Sequence, residues 1–257
     1  MSGDLDAARD RLATAVALQP EMPLYRISLL RHLLVHEGDA LAADDPDDAQ
    51  REVQDAAREQ AGRLGGMVHP EDASGQLVVG TAWRVLGEYE RACRHFELAA
   101  EVNESRLAAL LELGYCHQLA GNLDGARETL AAAYTEYPDD PEAANSYGYF
   151  LAEQGEKLDL AERLIEQALA VEPDNGAYLD SMGWVYFMQG RYAEAFDFLV
   201  EAANQRGDDP VILEHLGRTL ARLGRQPEAL SMLRRALRAG GDPEVLRPLI
   251  RDLERDG

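Results

Sequence analysis

The 257-residue sequence predicts an all-α fold of stacked antiparallel helix hairpins, on three observations. One column of glycines reads Gly80, Gly114, Gly148, Gly183 and Gly217, at steps of 34, 34, 35 and 34 residues. A second column, Gly87, Gly121, Gly155, Gly190 and Gly224, follows seven residues on with the same steps. Two alanine columns share the register: Ala92, Ala126, Ala161, Ala195 and Ala229, then Ala99, Ala133, Ala168, Ala202 and Ala236. A fixed period of this length is the signature of a repeat built from one supersecondary unit.

Each period reads as two helices. Apolar residues before the second glycine recur at helical spacing, as in Leu110, Leu113, Gly114 and His117. The second glycine ends that helix in the left-handed conformation other residues resist. A following helix sets a bulky residue (Phe96, Leu130, Ile165, Leu199 or Leu233) between the two alanines. A glycine inside a helix costs about 1 kcal/mol against alanine. Five in register imply a compensating gain, which is close approach of the paired helix. The one extra residue falls in "GEKLDLA", between Gly155 and Ala161.

Along the chain, residues 1–72 are less regular. Residues 3–20 read as the second helix of a repeat whose first helix is missing. Residues 23–36 read as a first helix, 37–48 as an enlarged loop, and 49–64 as its partner, which together make one expanded repeat. Five units follow at 73–106, 107–140, 141–175, 176–209 and 210–243. The apolar stripe Val245, Leu246, Leu249, Ile250 and Leu253 then predicts a capping helix within 244–257, which Pro248 is expected to shorten.

The periodic part resembles the tetratricopeptide repeat (TPR) family, in stretches such as "NGAYLDSMGWVYFMQGRYAEAF" and "DDPVILEHLG". These look like bacterial members, some of them exported. The resemblance implies a right-handed α-solenoid, the TPR superhelix, with first helices lining a concave groove that binds proteins or peptides. It places on that groove face Tyr115, Asn145, Tyr149, Asp180, Trp184, Phe187, Met188, Glu214, Arg218 and Arg222. Tyr115, Tyr149 and Trp184 would form an aromatic ladder, and aromatic residues are common binding anchors. Packing between repeats is the alternative role for them. Asn145 would pair with a ligand backbone, Asp180 and Glu214 would attract a cationic group, and Arg218 and Arg222 would give the far end a basic character. The expected ligand is an apolar segment carrying a Lys or Arg. Chaperone-tail binding is not expected, because the lysines that hold a terminal carboxylate in that subtype have no counterpart here.

Composition narrows the partners. The net charge is −22, and Lys157 is the only lysine. Such a chain repels nucleic-acid phosphate and anionic lipid. No apolar run approaches the ~18 residues of a spanning helix, so no membrane insertion is expected. No basic segment followed by an apolar core opens the chain. A cytoplasmic location is therefore favoured, and a periplasmic one holds if the chain is a fragment of an exported protein.

No catalytic motif, cofactor fingerprint or metal site is expected. His32 and His36 stand four residues apart without a third ligand. Residues 44–48, "DDPDD", read as a solvated loop ending in a helix cap rather than a calcium site. Cys93 and Cys116 read as small buried residues. Arg234, Arg235, Arg238, Arg247, Arg251 and Arg255 make a basic end, read as a solvated face or a dock for an acidic partner. The sequence thus favours a non-catalytic adaptor. The alternative is a self-associating component of a bacterial assembly or export/envelope complex, a homodimer through the N-terminal helices.

Overall fold

A computed structural model of the chain describes residues 2–41, 43 and 46–255, with backbone alone for 2–6 and 39. Every element of the described residues is helical, and the chain divides into two compact units, Met1–Ala133 and Tyr134–Gly257.

The first unit opens with α1 (Ser2–Leu18), α2 (Pro23–His36), a single turn α3 (Gly38–Leu41) and α4 (Asp48–Gly65). Val16 and the inner leucines of α2, Leu29, Leu30 and Leu33, join one core with Leu64 of α4. So α2 folds back over the inner face of α1. The enlarged loop is held by Leu41, buried in the same core, and by side-chain amides. Gln54 Nε2 of α4 donates to the carbonyls of Ala40 at 3.1 Å and Ala43 at 2.9 Å. Asp47 and Gln50 form a reciprocal cap at the start of α4. Below it, buried Arg26 donates to Gln60 Oε1 at 2.5 Å and to the carbonyl of Pro20. The unit continues with α5 (Ala73–Val85), α6 (Tyr89–Ala100), a 3-10 turn at Asn103–Ser105, α7 (Arg106–Leu119) and α8 (Leu123–Glu136), whose last turn crosses into the second unit.

The second unit holds α9 (Pro141–Glu153) paired with α10 (Leu158–Val171), α11 (Gly176–Met188) with α12 (Tyr192–Arg206), and α13 (Pro210–Arg222) with α14 (Gln226–Arg238). Asp140, Asn175 and Asp209 cap the first helix of each pair. α11 packs against α9 on one side and α13 on the other. The final helix, α15 (Pro243–Arg255), lays Leu246 and Ile250 on Leu213, Leu233 and Ala236. Pro248 lies inside α15 and does not shorten it, because the helix runs on to Arg255. Its apolar face against α14 outweighs the lost hydrogen bond.

The first glycine column faces the partner helix, as its register predicts. A Cβ added at Gly183 would lie 2.6 Å from Leu199 Cγ, and one at Gly114 would lie 2.5 Å from Leu130 Cδ2. The contacts at Gly80, Gly148 and Gly217 fall on Phe96, Ile165 and Leu233, the bulky residue set between the alanines in each unit. The second column is left-handed throughout, with Gly190 at φ +78. The extra residue after Gly155 is absorbed by Lys157, itself left-handed at φ +46.

Candidate functional site

The candidate surface in the second unit is built on α9, α11 and α13. α11 carries "SMGWVYFM", apolar around nearly its whole circumference, and every residue from Tyr178 to Tyr186 is buried. Gly183 and Tyr186 turn to α12, where Tyr186 meets the Phe198 ring at 5.4 Å. Trp184 turns to α13. Its ring stacks on His215 at 4.1 Å on one side and on Phe187 at 4.7 Å on the other. It is 8 % exposed. Expected as one rung of an aromatic ladder, with packing between repeats as the alternative, Trp184 is packed between helices, because His215 fills the space in front of it.

Asp180 is displaced from its expected role in the same way. It is 6 % exposed and accepts from His215 Nδ1 at 2.9 and 3.1 Å through its two oxygens. A carboxylate can only accept, so Nδ1 carries the proton. Burial pulls the His215 pKa down, but the Asp180 charge and hydrogen bond, with Glu214 and Glu153 nearby, carry it above the ordinary histidine value. Sequence reasoning did not single out His215. Its column reads Val78, Glu112, Ser146, Ser181 and His215, and one imidazole among mixed residues gives no pattern. The available signal was an acid one repeat earlier, 35 residues back at Asp180.

Around this buried pair lie the more open residues. Tyr149, Phe187 and Met188 are partly exposed. The Tyr149 hydroxyl donates to Glu153 at 3.1 Å, and its ring is 6.4 Å from His215. Phe187 meets Tyr192 edge-on at 5.4 Å. Glu214 holds Arg218 at 2.7 Å, so its charge is already offset, and the Arg218 guanidinium lies 6.0 Å from the Trp184 ring. Arg222 lies over Tyr192 at 4.8 Å and donates to its hydroxyl. Two buried polar atoms here have no hydrogen-bond partner among the described residues: Asn145 Oδ1 on α9 and Trp184 Nε1 on α11.

Tyr115 belongs to the first unit. It is 48 % exposed, with the Arg84 guanidinium 5.3 Å from its ring centre. Cys93 and Cys116 are buried in that unit's core; burial pushes both thiols up, and Cys116 donates to the carbonyl of Tyr89.

The His32 and His36 rings stand 4.8 Å apart, and no group of three metal-ligating side chains forms among the described residues. Asp44 and Asp45 lie outside those residues, while Asp47 caps α4 and Asp48 pairs with Arg51. In the C-terminal arginine group, Arg234 pairs with Glu254, Arg235 with Asp208 and Arg255 with Asp252. No helix of the described residues is long and apolar enough to cross a membrane.

Comparison with known proteins agrees with this architecture. Over 80 residues the chain is 41% identical to a TPR repeat-containing protein of Pseudomonas aeruginosa, a match that covers 31% of this chain and 13% of that protein. A tetratricopeptide repeat protein from Parabacteroides merdae shares the fold at a TM-score of 0.76, with 18% identity, over 98% of this chain and 93% of that one. A thermophilic TPR protein of Thermus thermophilus does so at 0.61, with 24% identity, over 70% and 98%. Models of the tetratricopeptide repeat match residues 85–141, 120–157, 151–210 and 186–248. With more than half of its length matched in this way, the chain belongs to the tetratricopeptide repeat family.

Proposed function

We propose that this chain is a non-catalytic adaptor that binds an apolar, Lys- or Arg-bearing protein segment on the α9–α11–α13 surface of its second unit. The family is one of protein-binding scaffolds, which supports the general reading. The observation that carries the specific one is the unpaired donor and acceptor on neighbouring helices, Trp184 Nε1 and Asn145 Oδ1. A buried polar atom without a partner costs about 1–3 kcal/mol. A backbone amide of a ligand has the complementary groups: its N–H for Asn145 and its carbonyl for Trp184. Phe187, partly exposed and stacked on the indole, uncovers Trp184 when it changes rotamer, a common adjustment on binding.

The roles within the surface follow from burial. Tyr149, Phe187 and Met188 supply apolar contact. Trp184 is the floor, held in place by His215 and Asp180. Glu153 and the acidic net charge favour a cationic ligand. With Arg218 neutralised by Glu214, Arg222 is left to make the α13 end basic and give the ligand a direction. The test is affinity for a selected peptide on wild type beside Asn145→Ala and Phe187→Ala. Weakened binding with unchanged melting supports the reading, and unchanged affinity in both variants contradicts it.

A second reading, self-association through the N-terminal helices, is favoured by Leu18, Leu24 and Val35, which are 76, 61 and 72 % exposed. Sedimentation across a concentration series tests it. A dimer lost in Leu24→Ser and Val35→Ser supports this reading, and a monomer throughout contradicts it.

A further inference from the structure

We propose that the cavity between α1, α2 and α4 binds a small organic cation with an apolar body. It has a volume of about 520 Å³, opens to solvent on one side and is lined entirely by residues of the first unit. That lies in the range of small-molecule sites, roughly 300–1,000 Å³. The enlarged loop creates the space. Gln54 ties the α3 turn back onto α4, and the helices around the gap present small residues to it, among them Ala13 and Ala56.

The lining has an inside and an outside. Leu29, Leu33 and Gln60 are 5, 1 and 8 % exposed and form the floor. Gln60 spends its carbonyl oxygen on Arg26, and its amide nitrogen donates to nothing among the described residues. Asp10 of α1 and Glu52 of α4 are exposed, so they stand at the solvent side. The other lining charges are already engaged. Arg9 pairs with Glu37 at 3.1 Å, and Asp47 caps α4. Glu52 makes no ion pair with a described residue, and Asp10 makes only a long, exposed one with Arg9, at 4.0 Å.

An apolar floor under a carboxylate rim selects against anions and against fully polar cations. It fits an ammonium or guanidinium group at Asp10 and Glu52 with a hydrocarbon or aromatic body over Leu29 and Leu33. A bound metal ion does not fit, since no three ligating side chains converge among the described residues.

The probe is octylamine, titrated calorimetrically into the full chain at neutral pH, with octanol and octanoate as isosteric controls. The expected result is saturable binding of the amine, weaker binding of the alcohol and none of the carboxylate. Glu52→Gln should weaken the amine roughly three-fold, and Asp10→Asn with Glu52→Gln roughly ten-fold, as exposed charge pairs do. Ala56→Phe should fill the cavity and abolish binding. If that variant does not fold, the two exposed charge variants decide the matter. Absence of saturable binding, equal binding of amine and alcohol, or amine binding unchanged in the charge variants would each overturn the proposal.

Discussion

His215 on α13 and Asp180 on α11 form an ion pair at 2.9 Å, with side chains 5 and 8 % exposed, and Trp184 lies flat on the imidazole. The pair ties two adjacent repeats together beneath the candidate surface. Removing one partner of a buried pair leaves the other uncompensated, at a cost of about 3–5 kcal/mol. Asp180→Asn should therefore melt well below wild type in mildly acidic buffer.

The pH dependence has a definite sign. The His215 pKa is raised in the folded state, so its contribution is fully present below the unfolded value of about 6.5 and is lost as pH rises through the folded value. Other titrating groups, such as Glu162, held low by Gln189 and Arg191, act on the acid side and are common to both proteins. Melting of wild type and Asp180→Asn should thus differ most in mild acid and converge toward alkaline pH. Parallel profiles would show that the pair carries no linked proton.

At Gly183 no side chain fits, because Leu199 already occupies the Cβ position. Gly183→Leu should overpack the helix pair and cost about 1–3 kcal/mol. At Gly190 there is space but a left-handed backbone, so Gly190→Ala should cost about 1–2 kcal/mol for a different reason. Chemical denaturation measures both, and a Gly183→Leu protein as stable as wild type would remove the close-approach account of the column.

Trp184→Ala should destabilise strongly, by about 3–5 kcal/mol, as loss of a large buried side chain does. Thermal melting checks it. A variant that melts like wild type would mean that the indole is free rather than clamped by Phe187 and His215.

The repeat was legible because it depends on local registers: a residue too small to clash, a residue able to turn left-handed, and a bulky residue between two small ones. Those positions name Gly183, Gly190 and Leu199 without any neighbour in view. The surface was less legible because it depends on what the next repeat brings. Asp180 and Trp184 would both face outward on α11 if α13 carried a small residue at His215. The imidazole covers the indole and consumes the carboxylate. In the N-terminal region, Gln54 and Gln60 add amide contacts beside the apolar core, and periodicity does not report these, so the helices were readable and the cavity among them was not. Pro248 read as shortening the last helix, but an amphipathic face packed on α14 carries the helix past it.

The central claim, that α9, α11 and α13 form a protein-binding surface, is tested most directly by selecting ligands from a randomised peptide display library. The tightest binder would then be mapped by amide chemical-shift changes on the full chain. The account predicts enrichment of apolar residues with a Lys or Arg and shifts clustered at Asn145, Tyr149, Phe187, Met188 and Arg218. It also predicts a loss of about 2 kcal/mol in affinity for Phe187→Ala, the size of an interface hot spot. Shifts confined to α10, α12 and α14, with Phe187→Ala binding as wild type does, would contradict it.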